Sequence, residues 1–251
     1  MLSDMRIDQA LTDVVIPTFD IKLLKLTFFS ASEARKDVSM NALLSNICIS
    51  TSAAPTYLPA HYFETKDSEG DTRSFNLVDG GVAANNPTLM AIAHMSKQII
   101  TQQLLVISLG TGSAKCNEKF SAAEASKWGV FEWLRNSGSL PLIDTLFQAS
   151  MDMVEIIVSS LFKAYNCERN YLRILDHTLM GDASSVDIVT EKNLINLVNI
   201  GEDLLKKPVS WSNSVQTGRR EMMKEEEALI RFAKILSDEH KLRKARLAGD
   251  H

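Results

Sequence analysis

The chain has 251 residues, with 27 Lys and Arg against 31 Asp and Glu, for a formal net charge of −4. Hydrophobic residues make up 45% and charged residues 23%, which excludes a disordered chain, and 11 Gly with 6 Pro exclude collagen-like or low-complexity architecture. The mild acidity gives no electrostatic ground for a nucleic-acid partner.

The opening residues, 1–13, lack the basic-then-apolar layout of a signal peptide, so a cytoplasmic location is expected if Met1 is the true start. Val14 to Ile16 and Leu26 to Phe29 are short β-branched, apolar or aromatic runs that read as strands. From Met40 to Cys48 the apolar residues fall at helical spacing, and Ala53-Ala54-Pro55 ends that helix, because proline disfavours helix in the residue before it. Thr65 to Thr72 reads as a polar hairpin with Glu69-Gly70-Asp71 at its tip.

Next comes the most informative stretch, Phe75 to Pro87. An apolar strand ends in Asp79, and Gly80-Gly81 is expected to turn the backbone with positive φ. Asn86 suits a helix N-cap and Pro87 the first helical position, with Leu89, Ile92, Ala93, Ser96 and Ile100 as the buried face. A second strand, Leu104 to Leu109, ends in Gly110-Thr111-Gly112. Strand, helix and strand with short connections predict a βαβ unit and a parallel sheet.

The second half reads as mostly helical. Ser121 with Glu124 forms a capping box for a helix carrying Trp128 and Trp133, both expected in the core. Leu142 to Ala164 is a long helix whose Asp144, Asp152 and Glu155 argue for a buried or amphipathic element over a membrane span. Tyr171 to Leu175 reads as a strand, Glu191 to Lys206 as a helix, Pro208 to Gly218 as a loop, and Arg219 to Leu247 as a charged terminal helix. The expected division is an α/β part over about 1–115 and a mostly helical part over about 116–251.

Chemistry concentrates at Asp79. In an open parallel sheet ligands bind beyond the carboxyl ends of strands, where this carboxylate would face the crevice. Elsewhere the signals are weaker. Cys48, Cys116 and Cys167 are far apart and odd in number, so no disulfide framework or metal site is expected. Ser108 and Ser113 flank the Gly-Thr-Gly turn, which does not fit a phosphate loop and reads as close backbone packing. His61 could approach the site, His94 reads as a partly exposed helix residue, and His177, His240 and His251 have no partners at suggestive spacing.

Several blocks together resemble one family. They are Ser52 to Tyr57, Asn76 to Pro87, Ser108 to Gly112, Ala122 to Gly129, Glu168 to Arg173, Gly201 to Ser210 and Arg231 to Asp238, in that order. They are similar to the patatin-like phospholipase family, which includes the plant patatins, storage-type lipid acyl hydrolases. The resemblance implies a three-layer α/β/α fold and a Ser-Asp dyad that hydrolyses glycerolipid or phospholipid esters. It also implies a lipid substrate or membrane surface as partner, with no metal or organic cofactor. The family's Asp-Gly-Gly motif falls on Asp79, Gly80 and Gly81, which makes Asp79 the expected dyad aspartate.

The family's serine sits on a Gly-x-Ser-x-Gly elbow, and no two of the 11 glycines here are four apart. The chain is therefore expected to correspond to about the C-terminal two-thirds of the family domain, beginning after the catalytic serine. Its strand bearing Asp79 is then expected to lie beside an exposed sheet edge. A dyad aspartate without nucleophile and oxyanion donors is half of a catalytic device. The alternative reading is a catalytically inactive patatin-like storage or lipid-binding protein.

Overall fold

The computed structural model describes residues 4–96, 104–113, 120–209 and 223–249. Two compact units divide the chain, Met1–Gln98 with Trp128–Val158, and Ile99–Lys127 with Ser159–His251.

The first unit is built on a four-stranded sheet of β1 (Val15–Asp20), β2 (Lys25–Ser30), β3 (His61–Lys66) and β4 (Thr72–Asp79), in the order β2-β1-β4-β3. Every pairing in it is antiparallel, with Val15↔Ser30, Thr18↔Asp79 and Phe63↔Phe75 fixing the register. The expectation of a mostly parallel sheet is thus overturned here, and the cause is local. Asp20 Oδ1 accepts the backbone N–H of Lys22 and Leu23, both at 2.9 Å, closing a tight turn between β1 and β2. Asp67 Oδ1 does the same for Glu69 and Asp71, with Gly70 at φ +91, between β3 and β4. Turns this short can join only antiparallel strands. The expected exposed edge beside Asp79 is also corrected, since β4 has a partner on each side.

The core of this unit gathers Ile7, Phe29, Ala34, Ala42, Ile47, Phe63, Phe75 and Leu77. Phe75 stacks on Phe63 with ring centroids 4.8 Å apart and lies 5.3 Å from Phe29, so side chains of three strands lock together on one sheet face. Among the helices, α1 (Ala31–Ala34) follows β2 directly, and α2 (Leu44–Ser52) packs Ile47 into the core and stops before Ala53-Ala54-Pro55, as expected. After β4 come α3 (Gly81–Ala84) and α4 (Thr88–Met95). Asn86 Oδ1 accepts the Thr88 N–H at 3.2 Å, so the cap is the asparagine side chain, with Pro87 at the cap position and not inside the helix.

Further along, α5 (Ala122–Ala125) is capped by Ser121, whose Oγ accepts the Glu124 N–H. The single helix expected through Trp128 and Trp133 is instead broken at Gly129, whose N–H donates to Glu132 Oε2 and starts α6 (Val130–Leu134). The two tryptophans meet edge to face at 5.3 Å, but Trp133 is 36% exposed, so neither is the core residue expected. Helix α7 (Pro141–Ala164) is long and apolar enough by length and composition to cross a membrane, with 11% of that window buried. Its acids Asp144, Asp152 and Glu155 would each oppose insertion.

The second unit holds the one parallel pairing among the described residues, β5 (Val106–Leu109) with β6 (Tyr171–Ile174). Of the expected βαβ unit the chain order of β4, α4 and β5 is seen, and the partner that β5 takes within its own unit is β6. Helices α8 (Glu191–Leu205) and α9 (Glu225–Gly249) complete the described part, and Leu172, Ile174, Val209, Ala228 and Phe232 form its core. The expected loop at 210–218, the start of the terminal helix at 219–222, Ile100, Cys116 and His251 lie outside the described residues. Asp176 is 5% exposed. Burial alone would raise its carboxyl, but Lys207 Nζ at 2.8 Å and the Thr178 hydroxyl and N–H outweigh it and hold it at about 2.

Glu225 is different. Its backbone N–H donates to the Lys207 carbonyl at 3.0 Å, and its side chain is 4% exposed with Oε2 buried and, among the described residues, unpartnered. That burial pushes the carboxyl up from 4.5 to about 7. Below the lower value both folded and unfolded chains hold the proton; between the two only the folded chain keeps it. Stability from this group is therefore full below about pH 4.5 and is lost as pH rises to about 7, by on the order of 3 kcal/mol. Urea unfolding at pH 5 and pH 8 should show this fall in the wild type, and Glu225→Gln should remove most of it. An equal pH dependence in both proteins would contradict the assignment.

Candidate active site

Alternation along β4 puts Phe75, Leu77 and Asp79 on one face of the strand. The first two are 2% and 0% exposed, so the half-buried Asp79 sits where the buried apolar face runs out. Its backbone N–H donates to the carbonyl of Ala53, just past the end of α2, at 3.0 Å. Its carboxylate Oδ1 accepts the Gly81 N–H at 2.7 Å, and among the described residues Oδ2 has no hydrogen-bond partner.

The expectation of positive φ at Gly80-Gly81 is overturned. Gly80 lies at φ −63, ψ −20, ordinary helical values, and Gly81 opens α3. The glycines are needed for space. A Cβ on Gly80 would stand 2.3 Å from the Pro17 carbonyl oxygen and 2.5 Å from its carbon. A Cβ on Gly81 would meet Asp79 Oδ1 at 3.2 Å, in the place the carboxylate needs to reach the Gly81 N–H. The cleft expected at Asp79 is not the cavity seen in this unit. That cavity, of about 520 Å³, is lined by residues including Arg6, Asn46, Glu64, Lys66 and Thr72. Thr72 begins β4 and Asp79 ends it, roughly 24 Å along the strand.

The other candidates are engaged elsewhere. His61 Nε2 lies 3.1 Å from Asn46 Oδ1, and Ser52 is exposed at the end of α2. In the second unit the 6%-exposed Ser108 accepts a hydrogen bond from Arg173 Nη1 at 2.8 Å, and Ser113 Oγ lies 3.1 Å from His177 Nδ1. Gly110 and Gly112 are packed against Leu175 and Leu179, each 2.3 Å from where a Cβ would fall, as the packing reading expects. His240 lies exposed on α9. No group of His, Cys, Asp or Glu suited to a metal is found among the described residues.

His94 corrects its expectation outright. It is 3% exposed, with Nε2 at 3.0 Å from Ser32 Oγ and 3.1 Å from Asp13 Oδ2. A catalytic triad places the carboxylate on one ring nitrogen and the serine on the other. Here both meet Nε2, so the ring does not bridge serine and carboxylate as a triad histidine does. Nδ1 is buried and, among the described residues, has no partner. The trio fastens residue 13, α1 and α4 together and carries no nucleophile. Ser32 N–H donates to Asp13 Oδ1 at 2.9 Å, which helps to hold that carboxylate below its usual range despite the opposing effect of burial.

The family model for patatin-like phospholipases matches residues 1–92. Patatin-like protein 3 of Arabidopsis thaliana is 52% identical over 98% of this chain and 61% of its own length. Patatin-like protein 2 of Oryza sativa subsp. japonica is 50% identical over 96% of the chain and 64% of its own length. A Solanum tuberosum protein named probable inactive patatin-3-Kuras 1 is 40% identical over 96% and 65%. The chain belongs to the patatin-like family. It spans about three-fifths of the length of the curated relatives it matches. In this patatin-like chain, the stretch that matches the family model contains the whole of β4, Asp79, Gly80 and Gly81.

The two glycines should respond differently to a methyl group. Gly80→Ala forces a Cβ into backbone atoms of Pro17 that cannot move without displacing β1, and should cost about 3 kcal/mol or more. Gly81→Ala should cost far less and act instead on the carboxylate it touches. Thermal melts of both variants check this, and equal melting temperatures would contradict the close approach.

Proposed function

We propose that this chain carries the acid–base half of a Ser-Asp lipid acyl hydrolase, with Asp79 as the base, on the three-layer α/β/α frame the family resemblance implies. The observation that carries the reading is the split role of the carboxylate: Oδ1 tied to the Gly81 N–H at 2.7 Å, Oδ2 half-buried and without a partner among the described residues. A base so held keeps one oxygen aimed while the other accepts the hydroxyl proton of a serine. The serine oxygen bonds to the ester carbonyl carbon, backbone N–H donors hold the oxyanion, and the proton passes to the departing alkoxide oxygen. Water then releases the acyl group. The substrate class is a glycerolipid or phospholipid ester, met at a lipid surface, and the chemistry calls for neither metal nor organic cofactor.

A second reading, a catalytically inactive patatin-like storage or lipid-binding protein, is favoured by one relative, 40% identical, that is named probable inactive.

The two readings separate in one assay. Residues 1–251 alone are expected to hydrolyse p-nitrophenyl esters and phospholipid vesicles at background rate. Joined behind the part of Patatin-like protein 3 that the chain does not match, they should hydrolyse both. Asp79→Asn in the joined protein should lower the rate by about 10²–10⁴-fold. A joined, folded protein without turnover would favour the inactive reading, and turnover that survives Asp79→Asn would remove Asp79 from the mechanism.

A further inference from the structure

Asp79 is held at two points, and both lead back to the end of α2. Its N–H donates to the Ala53 carbonyl at 3.0 Å. Its carboxylate takes the Gly81 N–H, which depends on the path of the chain through Gly80. That path is set by the Pro17 carbonyl, against which Gly80 has no room for a Cβ. The β1–β4 ladder ends at Thr18↔Asp79, so Pro17 lies one residue beyond the last paired position. Its carbonyl oxygen is claimed by Thr51, whose hydroxyl donates to it at 2.7 Å.

We propose that Thr51 is a positioning residue for the Asp79 carboxylate, acting through the Pro17 carbonyl and Gly80; its catalytic meaning rests on the reading of Asp79 as the base. Thr51 and Ala53 flank Ser52, so two residues of one short stretch bear on Asp79, Ala53 directly and Thr51 through the neighbouring strand. The segment that follows is itself constrained. Thr56 sits at φ 74, where a β-branched residue is an outlier, and the N–H groups of Tyr57 and Leu58 both close onto the Ala54 carbonyl. Such a conformation persists only where the surroundings dictate it. With the Thr51 hydroxyl gone, the Pro17 carbonyl loses its donor and is released from Gly80, and the Gly81 N–H no longer meets Oδ1.

The test follows the Gly81 amide in the full 251-residue chain, isotopically labelled, by its hydrogen exchange and by its proton shift as Asp79 titrates. In the wild type the amide should be protected and its shift should follow Asp79 ionisation. Thr51→Val keeps the shape and removes the donor. It should exchange about fivefold faster at Gly81, the factor that matches loss of a typical net hydrogen bond, with a smaller titration shift. Thr51→Ser, which keeps the hydroxyl, should behave as the wild type. A Gly81 amide unchanged in Thr51→Val overturns the proposal, and so does a Thr51→Ser protein that behaves like Thr51→Val. If Thr51→Val and Thr51→Ala both fail to fold while Thr51→Ser folds, Thr51 is a stability residue and the proposal fails. No turnover enters these measurements, so they can fail while the hydrolase reading stands, and the reverse.

Discussion

Gly80 lies so close to the carbonyl of Pro17 that no side chain fits between them: a Cβ would come within 2.3 Å of the oxygen. This contact requires β1 to lie directly beside β4, and it stops the ladder at Thr18↔Asp79. It also delivers the chain into α3 with the Gly81 N–H pointing back at the carboxylate. The Asp-Gly-Gly sequence is therefore a packing solution. Each glycine removes one obstruction, the first against a backbone and the second against the acid itself.

The rest of the first unit keeps that contact in register. Phe29, Phe63 and Phe75, from three strands, interlock on one sheet face, so a slip of one residue would turn all of them away from the core. Because β4 is flanked by β1 and β3, its apolar middle is fixed from both sides, while its last residue pairs with Thr18 of β1 and donates its N–H to Ala53. Asp79 inherits that rigidity at an end of the strand where the apolar face gives way to polar surroundings. The Ser32–His94–Asp13 group, centred on the buried His94, works in the same direction, tying the entry to β1 onto helices that follow β2 and β4. The second unit is organised differently, around a parallel pair, and its chemistry is marked by two acids with opposite fates. Asp176 is buried with a cation and stays ionised, whereas Glu225 is buried with no cation among the described residues and has its carboxyl pushed up to about 7.

Local features were legible in the sequence. The apolar run before Asp79, the hairpin tip at Glu69-Gly70-Asp71 and the end of α2 before Pro55 follow from residue type alone. Long-range pairing was not. Strand, helix and strand in succession suggested a parallel sheet, yet the two tight turns force the strands of the first unit antiparallel, and the parallel pairing is that of β5 with β6. His94 read as a surface residue because its partner, Asp13, is 81 positions away. The need for Gly80 was visible, but its cause was misread, since a close approach to Pro17 leaves no trace in local sequence. Trp128 and Trp133 looked like core residues by hydrophobicity, but they meet each other edge to face, the first half-buried and the second exposed. The dyad aspartate was expected from family resemblance, while the hydrogen bonds that aim it came only from the fold.

The most direct test of this account is the scalar coupling across the hydrogen bond from the Gly81 amide nitrogen to the Asp79 side-chain carboxyl carbon, measured by nuclear magnetic resonance in the labelled chain. The account predicts a resolved coupling at neutral pH that fades as the carboxylate is protonated. A Gly81 amide with no coupling to Asp79 at neutral pH, in a folded protein, would contradict it.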